Sequence, residues 1–320
     1  MQLNFFENAN KGINHFAYYV IGVLITLIGY FIGQIPLILV SFYAVDKYDI
    51  STKVFNEFEK TINFELLNID KNVGFVILIL MFAFGTLGLW VALKIQKKSF
   101  LHMITPKSTI DLGRIFFGFV FWLGLGILGE LISYGFQPNE YVFQFSGPNF
   151  FILLLIAIFL LPIQTSFEEF FFRGYIMQGL SNLMKNKIHI IIVSSILFAA
   201  LHGTNPEVKE YGIGIMMTYY IIAGAFLAVI VIMDGRLELA LGVHAATNFF
   251  GAVLVSYEGS VLQTDSLFKT SEISPALMTF SFAITALIFL YFCSKRYQWP
   301  PFSSLLSPIT FLRSKDLAVV

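Results

Sequence analysis

Residues 150–174 read FFILLLIAIFLLPIQTSFEEFFFRG: eighteen positions from Phe150 to Phe167 whose only polar or helix-breaking members are Pro162, Gln164, Thr165 and Ser166, followed by Glu168, Glu169 and Arg173. An apolar run of that length is enough to cross a bilayer as a helix. Two adjacent carboxylates and a guanidinium set against so much hydrocarbon are costly, so they need partners and point to a task. In a helix Glu169 and Arg173 stand four residues apart on one face and pair, acid before base, while Glu168 projects about 100° away. Glu168 is left without a balancing cation and becomes the candidate to take and return a proton.

Partners for it are found further along the chain. Phe198 and His202 share one helical face, and His244 and Asn248 share another, each pair four residues apart in an otherwise apolar segment. His15, His102 and His189 have no comparable company and read as interfacial. If the helices on either side of residue 185 form an antiparallel hairpin, equal steps back and forward place Glu168 opposite His202, since each lies 17 residues from that centre.

Composition sets the class. The chain is 57% hydrophobic and 12% charged, with 37 Phe among its 320 residues, and its mean hydropathy is +0.77. These values describe an all-α polytopic membrane bundle rather than a soluble domain. Formal charge is zero and no basic run suggests nucleic acid. The single cysteine, Cys293, excludes an internal disulfide and a cysteine zinc site.

Eight spans are expected: His15–Val45 with a kink at Pro36, Val73–Leu93, Leu112–Tyr134, the helix from Pro148 that carries the two acids, Ile188–His202, Ile213–Met233, Leu239–Val255 and Pro275–Phe292. Residues 46–72 form a charged loop with a surface helix near Phe55–Leu67, and residues 294–320 form a cytoplasmic or interfacial tail. The whole is read as a single integral membrane domain, 1–320, with a catalytic core at 148–251. Glycines at 113, 118, 124, 126 and 129 in the third span suit close helix contact, and Gly29 with Gly33 in the first reads as a packing pair. Of the 20 Lys and Arg, with Arg173 set aside as buried, thirteen fall on the side of the termini and six on the other. Both termini are therefore expected in the cytoplasm. Residue bias toward Lys, Asn, Ile and Phe suggests a bacterial cytoplasmic (inner) membrane.

Glu168-Glu169-x-x-x-Arg173-Gly174, Phe198-x-x-x-His202 and His244-x-x-x-Asn248, in this order on successive membrane helices, resemble the three motifs of the CPBP family. These are the CAAX-processing and bacteriocin-processing intramembrane proteases, also called the Abi family. The resemblance implies hydrolysis of a peptide bond in a membrane protein or lipidated peptide, inside or at the edge of the bilayer. It implies Glu168 as general base, polarising a water together with His202, with His244 and Asn248 stabilising the oxyanion or joining a metal site, and Glu169 with Arg173 as the structural pair. A zinc ion held by Glu168, His202 and His244 is chemically reasonable, since two imidazoles and a carboxylate with an open water position form a familiar hydrolytic set. No other cofactor is implied. Two further classes stay open at this level: a binding or bacteriocin-immunity protein that cuts nothing, and a proton-coupled transporter using the same residues as a relay. Against the transporter, no pair of matching interrupted helices divides the chain into two halves.

Overall fold

The computed structural model of the chain describes residues 5–271 and 273–309. Two of the thirteen basic residues assigned to the side of the termini, Arg313 and Lys315 of the tail, lie outside the described residues.

Among the described residues, apolar runs bounded by polar caps give eight apolar helices. They are α1 (Phe16–Tyr48), α2 (Lys71–Ile95), α3 (Leu112–Phe136), α4 (Pro148–Leu183), α5 (Lys187–Leu201), α6 (Ile213–Asp234), α7 (Glu238–Leu254) and α8 (Pro275–Arg296). Six are long and apolar enough to cross a bilayer, and α5 and α7 are shorter apolar helices between them. Side-chain caps mark several starts. Asp70 accepts from the backbone N–H of Asn72 and Val73 at the head of α2, and Asn186 does the same for Ile188 and His189 at the head of α5.

Contacts between the connections show that the helices alternate in direction. On one face Asn8 donates to the His102 carbonyl at 2.8 Å, Leu237 N–H to Ile104 O at 2.8 Å and Ile309 N–H to Lys185 O at 2.7 Å. On the other, Lys71 pairs with Asp265 at 2.8 Å and Val261 N–H donates to Glu207 at 2.7 Å. The described ends of the chain therefore share a face, as an even number of spans requires.

Two local departures from the expected helices have physical causes. The interruption in α1 falls at Gly33–Gln34, between Phe16–Ile32 and Ile35–Tyr48, rather than at Pro36 itself. A proline lacks the N–H for its upstream carbonyl and crowds the turn before it, so the helix gives way N-terminal to the ring. Phe170–Ile176 is a π-helical turn within α4, a widening that recurs at functional positions. The connections before α4 and after α7 also hold structure that the sequence did not announce. Strands β1 (Tyr141–Phe143), β2 (Val255–Tyr257) and β3 (Phe268–Thr270) form a small sheet in the order β1-β3-β2 on the face away from the termini.

Close packing is carried by glycines. A Cβ on Gly29 would stand 2.6 Å from the Phe84 carbonyl oxygen, and Gly33 rests on Met81, so the pair packs α1 on α2. In the third span the expectation holds only in part: Gly118 lies against the Leu239 backbone, whereas Gly124 and Gly129 have nothing within 4 Å. Gly242 of α7 sits directly on the Ile115 carbonyl and the Phe119 N–H of α3. Backbone cannot step aside for a side chain, so Gly242→Val is expected to cost about 3 kcal/mol, at the upper end of overpacking effects. Gly124→Ala, with open space around it, is the neutral control. Thermal unfolding of both variants in detergent against the unsubstituted protein checks this.

Candidate functional site

The motif side chains and their polar neighbours come from four helices. Glu168, Glu169, Arg173 and Gln164 project from α4, His202 caps the end of α5, Tyr220 comes from α6, and His244 and Asn248 come from α7. Glu169 and Arg173 are fully buried and pair at 2.8 Å across one turn. Arg173 also donates to the Gly224 carbonyl at 3.2 Å, and its guanidinium lies 4.3 Å from the centre of the Phe198 ring. The charge of Glu169 is thus spent locally, and that of Glu168 is not.

Each histidine is oriented by its Nδ1. In His202 that atom lies 2.8 Å from the Phe198 carbonyl, and in His244 it lies 2.7 Å from Glu169 Oε1. A carbonyl and a carboxylate only accept, so both Nδ1 atoms carry the proton and donate it. Both Nε2 atoms then face Glu168 Oε2, His244 at 3.4 Å and His202 at 4.0 Å. Rings on both sides hold His202: Phe198 at 4.4 Å and Tyr220 at 4.5 Å between centroids. Tyr220 is fixed in turn by a hydrogen bond from Asn205 at 3.1 Å.

The two oxygens of Glu168 have different fates. Oε1 accepts from Gln164 Nε2 at 2.7 Å. Oε2 is buried and, among the described residues, has no hydrogen-bond partner. Asn248 donates to Gln164 Oε1 at 2.8 Å and does not reach the carboxylate itself.

The structure therefore brings Glu168, His202 and His244 together around one oxygen, pairs Glu169 with Arg173, and joins Asn248 to the group through Gln164. Gln164 was not picked out by motif reading. Its signal was position: it lies one helical turn before Glu168 on the same face. The hairpin register about residue 185 agrees with the 4.0 Å approach of His202 to Glu168. Glu168 lies 15 residues from Leu183, about 22 Å along the helix, while His244 lies only six from Glu238, about 9 Å. For the two to meet, the α4–α5 turn must extend beyond the α6–α7 turn. Residues of both chain ends cover it, with Pro308 bridged to Asn186 and the 3₁₀ helix Phe5–Asn10 packed near the end of α4.

Among the described residues no group of three or more His, Cys, Asp or Glu side chains is spaced to hold a metal ion. Tetrahedral zinc with bonds of about 2.0 Å holds its donor atoms about 3.3 Å apart. The His244 arm matches that spacing and the His202 arm, at 4.0 Å, exceeds it.

Beside the site, outside the spans, the short helix Pro206–Tyr211 follows His202. Its Glu207 is buried and accepts from Val261 N–H, tying the connection after α5 to the one after α7. Burial pushes the Glu207 carboxyl up to about 6. The sign follows from linkage: the folded chain holds this proton more tightly than the unfolded chain, so the contribution of this carboxyl to stability is greatest below about pH 4.5 and is lost as pH rises through 6. Glu207→Gln keeps the acceptor oxygen and removes the charge. It is expected to recover about 2 kcal/mol at pH 8 and nothing at pH 4, which melting curves across that range would reveal. An unchanged pH dependence would contradict it.

Residues 147–250 match the family described as Type II CAAX prenyl endopeptidase Rce1-like, a segment that contains every motif residue named above. The chain is also similar to the uncharacterized protein YyaK of Bacillus subtilis, with 34% identity over 221 residues, covering 65% of this chain and 71% of that protein. No solved structure matches with significance.

Proposed function

Because the chain belongs to the CPBP family of membrane proteases, with its Rce1-like CAAX endopeptidases, we propose that it hydrolyses a peptide bond of a membrane-anchored protein or lipidated peptide with water activated by Glu168. The observation that carries this reading is the free, buried Oε2 of Glu168 turned toward the Nε2 atoms of two histidines.

In this reaction a water between Oε2 and His202 gives its proton to Oε2 as its oxygen attacks the scissile carbonyl carbon. The carbonyl oxygen gains the negative charge. His244 keeps its Nδ1 on Glu169, so its Nε2 is the atom turned to the reacting centre, and a proton carried there would be directed to the developing oxyanion. Glu168 then returns its proton to the leaving nitrogen and is a carboxylate again, the C–N bond breaks, and the new carboxylic acid passes the second water proton to the released amine, so that a carboxylate and an ammonium separate.

A zinc ion at the site would take Glu168, His202 and His244 as ligands, both Nδ1 protons being held away from it by Phe198 and Glu169. Such an ion would act as a Lewis acid on the carbonyl and its water. No step above depends on it. The glutamate reading predicts that purified protein carries well under one zinc per chain by elemental analysis and keeps its activity in chelator; stoichiometric metal lost together with activity would favour the zinc reading.

The excess of basic residues on the face of the termini supports cytoplasmic termini in a bacterial inner membrane. Substrate class is tested in proteoliposomes with a farnesylated CAAX peptide and the same peptide unmodified. Cleavage restricted to the farnesylated form supports CAAX-type processing, and cleavage of both supports broader bacteriocin-type processing. Cleavage of neither, with an immunity phenotype that survives Glu168→Ala, would favour a non-proteolytic role.

A further inference from the structure

Gln164 belongs to none of the three motifs, yet it makes the only side-chain hydrogen bond to Glu168 among the described residues. We infer that Gln164 is a positioning residue that commits one oxygen of Glu168 and leaves the other free, and that Asn248 acts on the reaction through Gln164. The inference rests on the proposed hydrolysis.

Chemistry fixes the direction of the chain. The carboxylate only accepts, so Gln164 must turn Nε2 to Glu168 Oε1, at 2.7 Å. The amide oxygen of Gln164 then points the other way and needs a donor, which Asn248 supplies through Nδ2 at 2.8 Å. Glutamine is suited to this place because one planar group donates at one end and accepts at the other. Methionine would fill the space and break both bonds; glutamate would set a second negative charge beside the first.

Two consequences follow. With Oε1 engaged, the carboxyl group cannot rotate freely, and Oε2 stays aimed at the two Nε2 atoms. The second is that the link ties α4 to α7 across 84 positions of sequence, so the base and His244 are held on one frame. Asn248 contributes by keeping Gln164 in register.

The test is a double-mutant cycle in proteoliposomes with a fluorogenic farnesylated CAAX peptide. Gln164→Met and Asn248→Ala are each expected to lower kcat about 10- to 100-fold with KM changed less than about threefold, and the double variant to be about as slow as the slower single one. Effects that multiply, or that fall on KM, would overturn the link. A second readout needs no turnover: in detergent melting curves of the same proteins each single variant should be less stable than the original, and the double variant no less stable than the weaker single one. Losses that add would refute the link even if the protein proves not to be a protease. Should Gln164→Met not fold, Asn248→Leu reads the same link from its other end.

Discussion

Glu168→Gln is expected to leave the purified protein folded, with its melting temperature equal to or above the original, and to slow peptide hydrolysis about a thousandfold. The amide is the same size as the carboxyl and its oxygen still accepts from Gln164, so the packing of α4 survives. What it cannot do is take a proton from water. General bases contribute roughly 10² to 10⁴ in rate, and a thousandfold loss corresponds to about 4 kcal/mol of barrier. Stability should not suffer, because the change removes a buried charge whose Oε2 has no hydrogen-bond partner among the described residues. The expected signature is a fall in kcat at nearly constant KM. A parallel fall in melting temperature would mean that Glu168 holds the fold together rather than serving the reaction.

Arg173→Met should do the reverse, lowering stability by about 3–5 kcal/mol, enough to abolish a monodisperse preparation in mild detergent. Arg173 is one of the largest fully buried side chains, and its loss leaves Glu169, with no exposed surface, facing only a histidine. Lysine is not expected to rescue it. One ammonium on a flexible stem does not reproduce the planar fork that reaches Glu169 and the Gly224 carbonyl together. Adding Glu169→Gln to Arg173→Met removes both charges and should restore much of the stability. Activity should stay low, since His244 then loses the carboxylate that sets its tautomer. Recovery of both would show that the pair does not orient the histidine.

The long spans were legible because the membrane imposes length: a crossing helix needs about 20 apolar residues between polar ends, and α2, α3, α6 and α8 begin or end within a few residues of the expected bounds. The approach of Glu168 to His202 could be read from equal step counts about residue 185, since an antiparallel pair has one rise per residue. The sheet could not. Its strands are three residues each, too short to show alternation, and Tyr141 pairs with Thr270 across a separation that no local pattern records. Gln164 was overlooked for a related reason: a lone amide beside Pro162 reads as filling for a disturbed turn until the side chain of Asn248 is seen to end against it. The helix break at Gly33–Gln34 rather than at Pro36 follows from the bond that the proline cannot make to the carbonyl four residues before it, so the disturbance lies in the preceding turn.

The central claim is that Glu168, His202 and His244 surround one hydrolytic water inside the bundle. It is tested most directly in proteoliposomes prepared in ¹⁸O-labelled water, with a membrane-anchored peptide library and mass spectrometry of the products. The account predicts fragments whose new carboxyl groups carry ¹⁸O when the native protein is present, and no such fragments above background with Glu168→Gln at equal folded protein. The same fragments in equal amount from both proteins, or none from the native protein with any peptide, would contradict it.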